Sequence, residues 1–313
     1  MKRTIIIGYD PEHDGDDALS LGSVMSALLG AKPTVAVVTH WHQHLLDREP
    51  LEQAIEAEIA QPRARASEVL AGLDPDVLGF PWRSPGAVLH DLAVAEKAGL
   101  IVIGSEHRGP MGQLMVGSVG ESLLQGAPCA VAVAPRGFAE REETHVLRIC
   151  VAFDGSAEAW SALETAIGLA ERVHGALTVI TVAEFPTHGS ATSESILTGD
   201  EFRDFEREEK QRILDLALKR LPSGLAGEGR LMTGDVGELL AQASGDFDLM
   251  VTGSRGYGPL RRTLLGNATR KLMRTAACPV IVLPRASGTD PLGVRDPRVH
   301  ATRTSSAAGA ANG

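Results

Sequence analysis

The strongest constraint on the fold is an internal repeat. Six landmark residues of the first half recur in the second half at one spacing of 149 positions, with no gap. Self-similarity at a fixed offset is the signature of a duplicated unit. A chain of 313 residues is long enough for two domains of ordinary size, so each copy is predicted to bury its own core. The pairs are Gly104 and Gly253, Gly109 and Gly258, Pro110 and Pro259, Gly117 and Gly266, Cys129 and Cys278, and Pro135 and Pro284.

Each copy alternates short apolar runs with stretches of helical periodicity. This alternation predicts an α/β fold: two Rossmann-like domains, each a five-stranded parallel sheet with helices on both faces. The predicted strands are 4–8, 34–39, 77–80, 100–104 and 130–134, then 147–153, 177–182, 230–233, 249–253 and 280–283. The predicted helices are 18–29, 51–59, 64–70, 86–97 and 118–125, then 157–174, 200–221, 236–243 and 267–275, with Pro62 expected to interrupt the second helix.

Changes in composition predict the domain boundaries. The segment 137–145 is charged and lacks apolar periodicity, which is typical of a linker. The segment 286–313 consists largely of small and polar residues, and we predict that it is disordered. Domain 1 is therefore expected at 1–136 and domain 2 at 146–285.

Charge and hydropathy exclude several classes of protein. A formal net charge of -10 opposes a large contact with nucleic acid, so we expect no nucleic-acid partner. No apolar run approaches the roughly 18 residues that a membrane span needs. The chain enters its first predicted strand almost at once, and we expect a cytoplasmic protein with no membrane contact. The three cysteines have no CxxC spacing, which argues against zinc and against a disulfide framework.

A glycine-rich loop joins a predicted strand to a predicted helix in the second copy. Gly253, Gly256 and Gly266 leave the backbone accessible between the carboxyl end of the strand and the amino end of the helix. Backbone N–H groups and the helix dipole favour an anion there, and a nucleotide phosphate is the obvious candidate. A loop that needs glycine only for its turns is the alternative. The presence of the arrangement in both copies favours the phosphate site.

This spacing resembles a known signature. Gly253-x2-Gly256-x9-Gly266 is similar to the ATP-binding signature of the universal stress protein family, in which a serine or threonine follows the last glycine. Asp154-Gly155-Ser156 after a strand, and Cys278-Pro279-Val280-Ile281-Val282 in the last strand, also resemble that family. The resemblance covers nearly all of residues 1–284. It implies two adenine nucleotide alpha hydrolase-like domains that bind ATP or a related adenine nucleotide, with or without Mg²⁺.

The resemblance also implies how the two domains associate and what the protein does. Family members pair through the last strand of the domain, so Val131-Ala132-Val133 and Val280-Ile281-Val282 are the expected seam of an internal pseudo-dimer, and a homodimer of the whole chain is a further expectation. The implied function is that of a stress-response regulator or sensor rather than a fast catalyst.

The family's binding residues carry over by position. In domain 2, Asp154 and Val182 would contact the adenine base, while the ribose and phosphates would lie against Gly253, Gly256, Gly266 and Asn267. In domain 1 the corresponding positions are Asp10, Gly104, Gly117 and Ser118.

Each copy departs from the signature once. Asn267 replaces the hydroxyl residue in domain 2, where its amide could donate to phosphate or cap the helix. His107 replaces the second glycine in domain 1. These departures keep open a second reading, a structural or adaptor module whose nucleotide sites have decayed.

Two clusters suggest a metal site, although a simpler reading exists for each. The histidines His40, His42 and His44 alternate after a strand, and acidic residues cluster between positions 10 and 17. An exposed loop would account for the histidines and a helix start for the acidic residues, and we favour these interpretations. The sequence contains no nucleophile elbow, no GxxxxGK[ST] loop and no HExxH. It therefore specifies no reaction, and an adenylate-chemistry enzyme would need a catalytic phosphate loop that is absent from the sequence.

Overall fold

A computed structural model of the chain describes residues 4–12, 15–39, 51–81, 84–106, 111–141, 145–184, 199–254 and 266–284, together with Leu292 and Val294. Strands and helices alternate throughout. The first half contains β1 (Thr4–Tyr9), α1 (Asp16–Leu29), β2 (Lys32–Thr39), α2 (Leu51–Val69), β3 (Asp76–Pro81), α3 (Pro85–Ala95), β4 (Leu100–Gly104), α4 (Ser118–Gly126) and β5 (Ala130–Ala134). The second half contains β6 (Arg148–Ala152), α5 (Ala157–Val173), β7 (Ala176–Ala183), α6 (Gly199–Arg220), β8 (Ala226–Thr233), α7 (Val236–Ala243), β9 (Leu249–Gly253), α8 (Asn267–Thr275) and β10 (Val280–Leu283).

The described strands form one sheet of ten strands in the order β3-β2-β1-β4-β5-β10-β9-β6-β7-β8. Each half of this sheet is parallel, and the halves meet where β5 and β10 pair antiparallel. At the seam Val133 lies opposite Val280, Ala132 opposite Ile281 and Val131 opposite Val282. The predicted fold and the predicted seam are both confirmed. Because β5 and β10 run in opposite directions, the carboxyl ends of the strands lie at opposite edges of the sheet in the two halves.

Alternation along the strands sends side chains into two separate cores. In β1, Ile5 and Ile7 pack with α1 on one face, while Ile6 packs with α3 and α4 on the other. The first face is covered by α1, α2, α5 and α6, and the second by α3, α4, α7 and α8. Both cores continue across the seam, so the two halves share their apolar layers.

The expected break at Pro62 is wrong, since α2 runs through it from Leu51 to Val69. Ile59, Pro62, Ala66 and Leu70 are all buried, at spacings of three and four residues that place them on one helix face. Burial of this face offsets the backbone hydrogen bond that proline cannot donate.

Strand β8 is longer than the short run 230–233 that the sequence predicts. It begins at Ala226 and pairs in parallel with β7 from Ala176 to Ala183. Gly227 and Gly229 weaken the strand pattern in the sequence, yet they admit apolar side chains of α6: a Cβ at Gly229 would lie 2.8 Å from Leu218 Cδ1.

Two residues of the C-terminal segment are described, and both are buried. Leu292 and Val294 are 3% and 4% exposed and belong to the core on the α5 side of the sheet. The carbonyl oxygen of Val294 accepts a hydrogen bond from Arg172 Nε at 3.1 Å. The rest of the segment 286–313 lies outside the described residues, and its disorder stays a prediction.

Candidate functional site

The candidate site of the second half lies where the strand order changes direction. Strand β6 lies between β7, which follows it in the chain, and β9. In open α/β sheets, the crevice at the carboxyl ends of strands flanking such a point is the usual ligand site. Asp154 follows β6, Val182 lies near the end of β7, and Gly253 ends β9. The topology therefore brings these three predicted residues to one edge of the sheet.

Local hydrogen bonds orient Asp154. Its Oδ1 accepts a hydrogen bond from the Ser156 N–H at 2.9 Å, and Gly155 between them adopts a φ of 84°. Such a positive φ favours glycine. Ser156 is the N-cap of α5 and accepts a hydrogen bond from the Ala159 N–H at 3.1 Å. The turn from β6 into α5 thus holds the Asp154 carboxylate at the strand end.

Close packing and hydrogen bonds fix the end of β9. A Cβ at Gly253 would lie 2.8 Å from Glu158 Cβ and 3.1 Å from the Glu158 carbonyl carbon, so glycine lets α5 approach the strand. The Thr269 hydroxyl of α8 donates to the Gly253 carbonyl oxygen at 3.2 Å. Neither Glu158 nor Thr269 carries a sequence signal for these roles, because the roles depend on helices that approach β9 from elsewhere in the chain.

The two ends of the glycine loop are joined directly. The Ser254 N–H donates to the Leu283 carbonyl oxygen, and the Gly266 N–H donates to the Ser254 carbonyl oxygen, each at 2.9 Å. These bonds set the first turn of α8 beside the end of β9. Gly256 lies outside the described residues.

Asn267 begins α8, and its side chain does not cap the helix. The N-cap is Gly266, which makes no side-chain capping bond, and Asn267 is exposed. The interpretation of Asn267 as the cap is therefore wrong, because the helix starts one residue earlier than a cap at 267 requires. Helices α5 and α7 are capped by the side chains of Ser156 and Asp235. Among the described residues, the N-cap of α8 is instead a glycine, which has no side chain to accept such a bond.

The first half has the same arrangement at the opposite edge of the sheet. Strand β1 lies between β2 and β4, Asp10 follows β1, and Gly104 ends β4. The Asp10 Oδ1 accepts a hydrogen bond from the Glu12 N–H at 3.0 Å, as Asp154 does from Ser156. Gly117 is the N-cap of α4 without a side-chain bond, and Ser118 is the exposed first residue of that helix. His107 lies outside the described residues.

Asp16, one of the acidic residues that follow β1, takes part in structural hydrogen bonds. Asp16 Oδ2 accepts hydrogen bonds from Arg65 Nη2 at 2.7 Å and Nε at 3.0 Å. Tyr9 Oη donates to Asp16 Oδ1 at 3.4 Å. Burial, and then the negative charge of Asp16, raise the pKa of Tyr9 to about 12. Tyr9 therefore stays neutral at physiological pH.

Asp17 joins α1 to the segment after β5. Its carboxylate is buried and accepts hydrogen bonds from the Gly137 N–H at 2.8 Å and the Ala139 N–H at 2.7 Å. The neighbouring Phe138 is also buried in the core. The start of the segment expected as a linker therefore packs against domain 1.

Neither metal nor thiol chemistry is supported by the described residues. Among them, no group of three histidine, cysteine or acidic side chains could hold a metal ion. The histidines His40, His42 and His44 lie outside the described part of the chain. Burial raises the pKa of Cys129 and of Cys278 to about 12, and it also raises that of Cys150, so these thiols are not reactive nucleophiles.

Comparison with known proteins decides the family. The family model described as the universal stress protein family matches residues 1–135 and, separately, residues 146–284. The chain belongs to this family. The two matches show that the universal stress protein domain is present twice, in tandem.

The similar proteins include some that match both halves of this chain and some that match only one half. A universal stress protein of Mycobacterium tuberculosis is 25% identical over 300 residues, which cover 90% of this chain and 99% of the relative. A Bacillus subtilis universal stress protein is 29% identical over 148 residues, or 44% of this chain and 97% of the relative. The crystal structure of a universal stress protein from Archaeoglobus fulgidus, 18% identical, superposes with a TM-score of 0.60 over 90% of this chain and 96% of that one.

Of the helices in the described ranges, none combines the length and apolar character needed to cross a membrane.

Proposed function

We propose that domain 2 of this tandem universal stress protein binds ATP or a related adenine nucleotide. The observation that carries the proposal is the N-terminus of α8, whose N-cap is the glycine Gly266 and which is held beside the end of β9 by the bond from the Gly266 N–H to the Ser254 carbonyl oxygen. The end of β9 lies at the same edge of the sheet as Asp154 and Val182, where the strand order changes direction. Domain 2 would thus act as a stress-response regulator or sensor.

The residues present fit a nucleotide. The N–H groups at the start of α8 and the helix dipole suit a phosphate, and Gly266 carries no side chain that would obstruct it. The exposed Asn267 amide would add a donor for a phosphate oxygen, while Gly253 and Gly256 would allow the backbone to approach the ribose and phosphates. Mg²⁺ would accompany the phosphates as their counterion.

The base would lie against β7 and the turn after β6. Val182 is 8% exposed and offers an apolar surface to the adenine ring. The Asp154 carboxylate would accept a hydrogen bond from the adenine amino group. Because the sequence lacks a reaction motif, the domain would retain ATP or hydrolyse it slowly. A cytoplasmic location follows from the proposed ligand, since ATP is abundant there.

A pair of substitutions at Asn267 tests this proposal. Asn267→Asp places a negative charge at the proposed phosphate position and should weaken Mg-ATP binding about tenfold or more. Asn267→Ser restores the hydroxyl of the family signature and should bind at least as tightly as the wild type. Both changes lie at an exposed helix start, so the fold should be retained. Isothermal titration with Mg-ATP measures the affinities, and binding by Asn267→Asp equal to that of the wild type would contradict the proposal.

The adaptor function remains the second candidate because Asn267 departs from the signature. It predicts that the purified protein carries no nucleotide and that ATP leaves its melting temperature unchanged. Binding at 100 times Kd would instead stabilise the folded protein by about 2.7 kcal/mol. A thermal scan with and without Mg-ATP separates the two candidates.

A further inference from the structure

Glu106 occupies a particular position in domain 1. It lies two residues after the end of β4, and its N–H donates to the Met115 carbonyl oxygen at 2.6 Å. A Cβ at Gly117 would lie 3.6 Å from Glu106 Cβ and 3.7 Å from its carboxyl carbon, Cδ. Gly117 is the N-cap of α4. The carboxyl group of Glu106 therefore lies at the N-terminus of α4.

The surrounding hydrogen bonds hold the Glu106 backbone in place. The Ser105 hydroxyl donates to the Ala134 carbonyl oxygen at 2.8 Å and accepts a hydrogen bond from the Met115 N–H at 3.1 Å. Together with the bond from the Glu106 N–H to Met115, these contacts tie the end of β4 to the approach to α4. The position of Glu106 against the helix is thus set by a connected local structure.

A carboxylate at this position takes the place that a phosphate would need. The N-terminus of a helix favours one negative group, and the N-cap of α4 makes no side-chain bond of its own. Glu106 supplies that negative charge from within the chain. A phosphate brought to the same turn would meet a like charge as well as the volume of the side chain.

The two copies carry opposite charges at this point in the sequence. At the offset of 149 positions, Glu106 corresponds to Arg255, an arginine two residues after Gly253. The edge of domain 1 also carries the exposed acidic residues Asp10 and Glu12. At this aligned position domain 1 therefore has a negatively charged residue, whereas the sequence of domain 2 has a positively charged one.

We propose that Glu106 closes domain 1 to phosphate-bearing ligands and leaves domain 2 as the single nucleotide site of the chain. This inference rests on the proposed function for its account of domain 2. Its account of domain 1 depends on the position of Glu106 beside Gly117, the N-cap of α4. Asp10, Gly104, Gly117 and Ser118 thus form a nucleotide-site framework whose phosphate position is filled by the protein itself.

The test is the stoichiometry of Mg-ATP binding by the full chain, measured by isothermal titration. The wild type should bind one ATP per chain. Glu106→Gln removes the charge and Glu106→Ala removes both charge and volume, so each should strengthen binding in domain 1 about tenfold or more and reveal a second site. Glu121→Gln, which removes an exposed charge from the first turn of the same helix, is the matched control and should leave one site. Adding Ser118→Asp to Glu106→Ala should abolish the second site.

The number of ATP sites in the wild type and in each variant either supports or overturns the inference. Two sites in the wild type, one site in both Glu106 variants, or a second site in Glu121→Gln would overturn the inference. If the wild type binds no ATP and Glu106→Ala gains one site, the inference on domain 1 stands while the proposed function of domain 2 fails. If neither binds ATP, both fail. Circular dichroism of each variant verifies that the fold is intact.

Discussion

Gly253 and Gly104 are equivalent residues whose surroundings differ. Both end the strand that precedes a glycine loop. At Gly253 a Cβ would lie 2.8 Å from Glu158 Cβ and 3.1 Å from the Glu158 carbonyl carbon. At Gly104 the nearest atom would be the Ala18 backbone nitrogen, at the ordinary contact distance of 3.9 Å. The tolerance of the two positions for a side chain should therefore differ.

Alanine substitution at each position tests this difference. Gly253→Ala should lower the free energy of unfolding by about 1–3 kcal/mol, because α5 must shift away from β9. Gly104→Ala is the matched control and should change it by less than about 0.5 kcal/mol. Urea unfolding followed by circular dichroism gives both values. An equal loss of stability in the two variants would show that the close approach of Glu158 does not matter.

At the scale of residues, the sequence identifies positions at strand ends better than it identifies their partners. Asp154, Val182 and Gly253 could be placed because strand ends in a parallel sheet share one edge. The position of Glu106 beside Gly117 could not be predicted, since the two residues come together only in the fold. The sequence left Asn267 open as a helix cap or a phosphate donor, because a residue at a helix start suits both roles, and the N-cap is in fact Gly266.

At the scale of elements, a side-chain cap fixes the N-terminus of α7. Asp235 caps it by accepting a hydrogen bond from the Glu238 N–H at 2.8 Å. That backbone hydrogen bond, with a further contribution from Lys271, lowers the pKa of Asp235 below its ordinary value of 3.8. The ionised carboxylate is therefore the form that stabilises the helix.

Replacement of this cap should lower the free energy of unfolding by an amount that depends on pH. Asp235→Ala should lower the free energy of unfolding at pH 7 by about 1 kcal/mol. Because the folded-state pKa is depressed, the contribution of Asp235 is present above pH 3.8 and is lost as the pH falls through the folded pKa. Asp235→Ser keeps a capping oxygen and should retain most of the stability. Chemical denaturation at pH 7 and at values below pH 3.8 measures the free energy of unfolding of both variants. A loss of stability in Asp235→Ala that does not change with pH would contradict the role of the charge.

The elements that could be predicted are those with strong local signals. Strands β4, β5, β9 and β10 and helices α7 and α8 have the bounds expected from their apolar runs and flanking residues. Helix α2 and strand β8 differed because tertiary contacts overrode local preferences. Burial carries α2 through Pro62, and pairing with β7 extends β8 across two glycines.

At the scale of the whole molecule, the antiparallel pairing of β5 with β10 determines the arrangement. It joins two parallel sheets into one, continues both apolar cores across the seam, and places the candidate sites at opposite edges. The duplication and the resemblance to the family were sufficient to predict this seam. They could not predict the buried positions of Leu292 and Val294, because two apolar residues in a polar segment carry no periodic signal.

The two copies of the domain are therefore alike in fold and different in the proposed ligand chemistry. In the part of the chain that the structure describes, the α8 N-terminus of domain 2 begins at the N-cap glycine Gly266, whereas the α4 N-terminus of domain 1 has the Glu106 carboxyl group beside it. An asymmetric pair of this kind would use one domain to bind nucleotide and the other to complete the sheet.

Native mass spectrometry of the full chain, purified and then incubated with Mg-ATP, tests this asymmetry most directly. We expect a mass increase of one adenine nucleotide per chain at saturating Mg-ATP; at a Mg-ATP concentration near the wild-type Kd, the bound fraction should fall strongly in Asn267→Asp and persist in Asn267→Ser. A wild-type chain that acquires no nucleotide at saturating Mg-ATP, or one that retains its nucleotide unchanged in Asn267→Asp, would contradict the account.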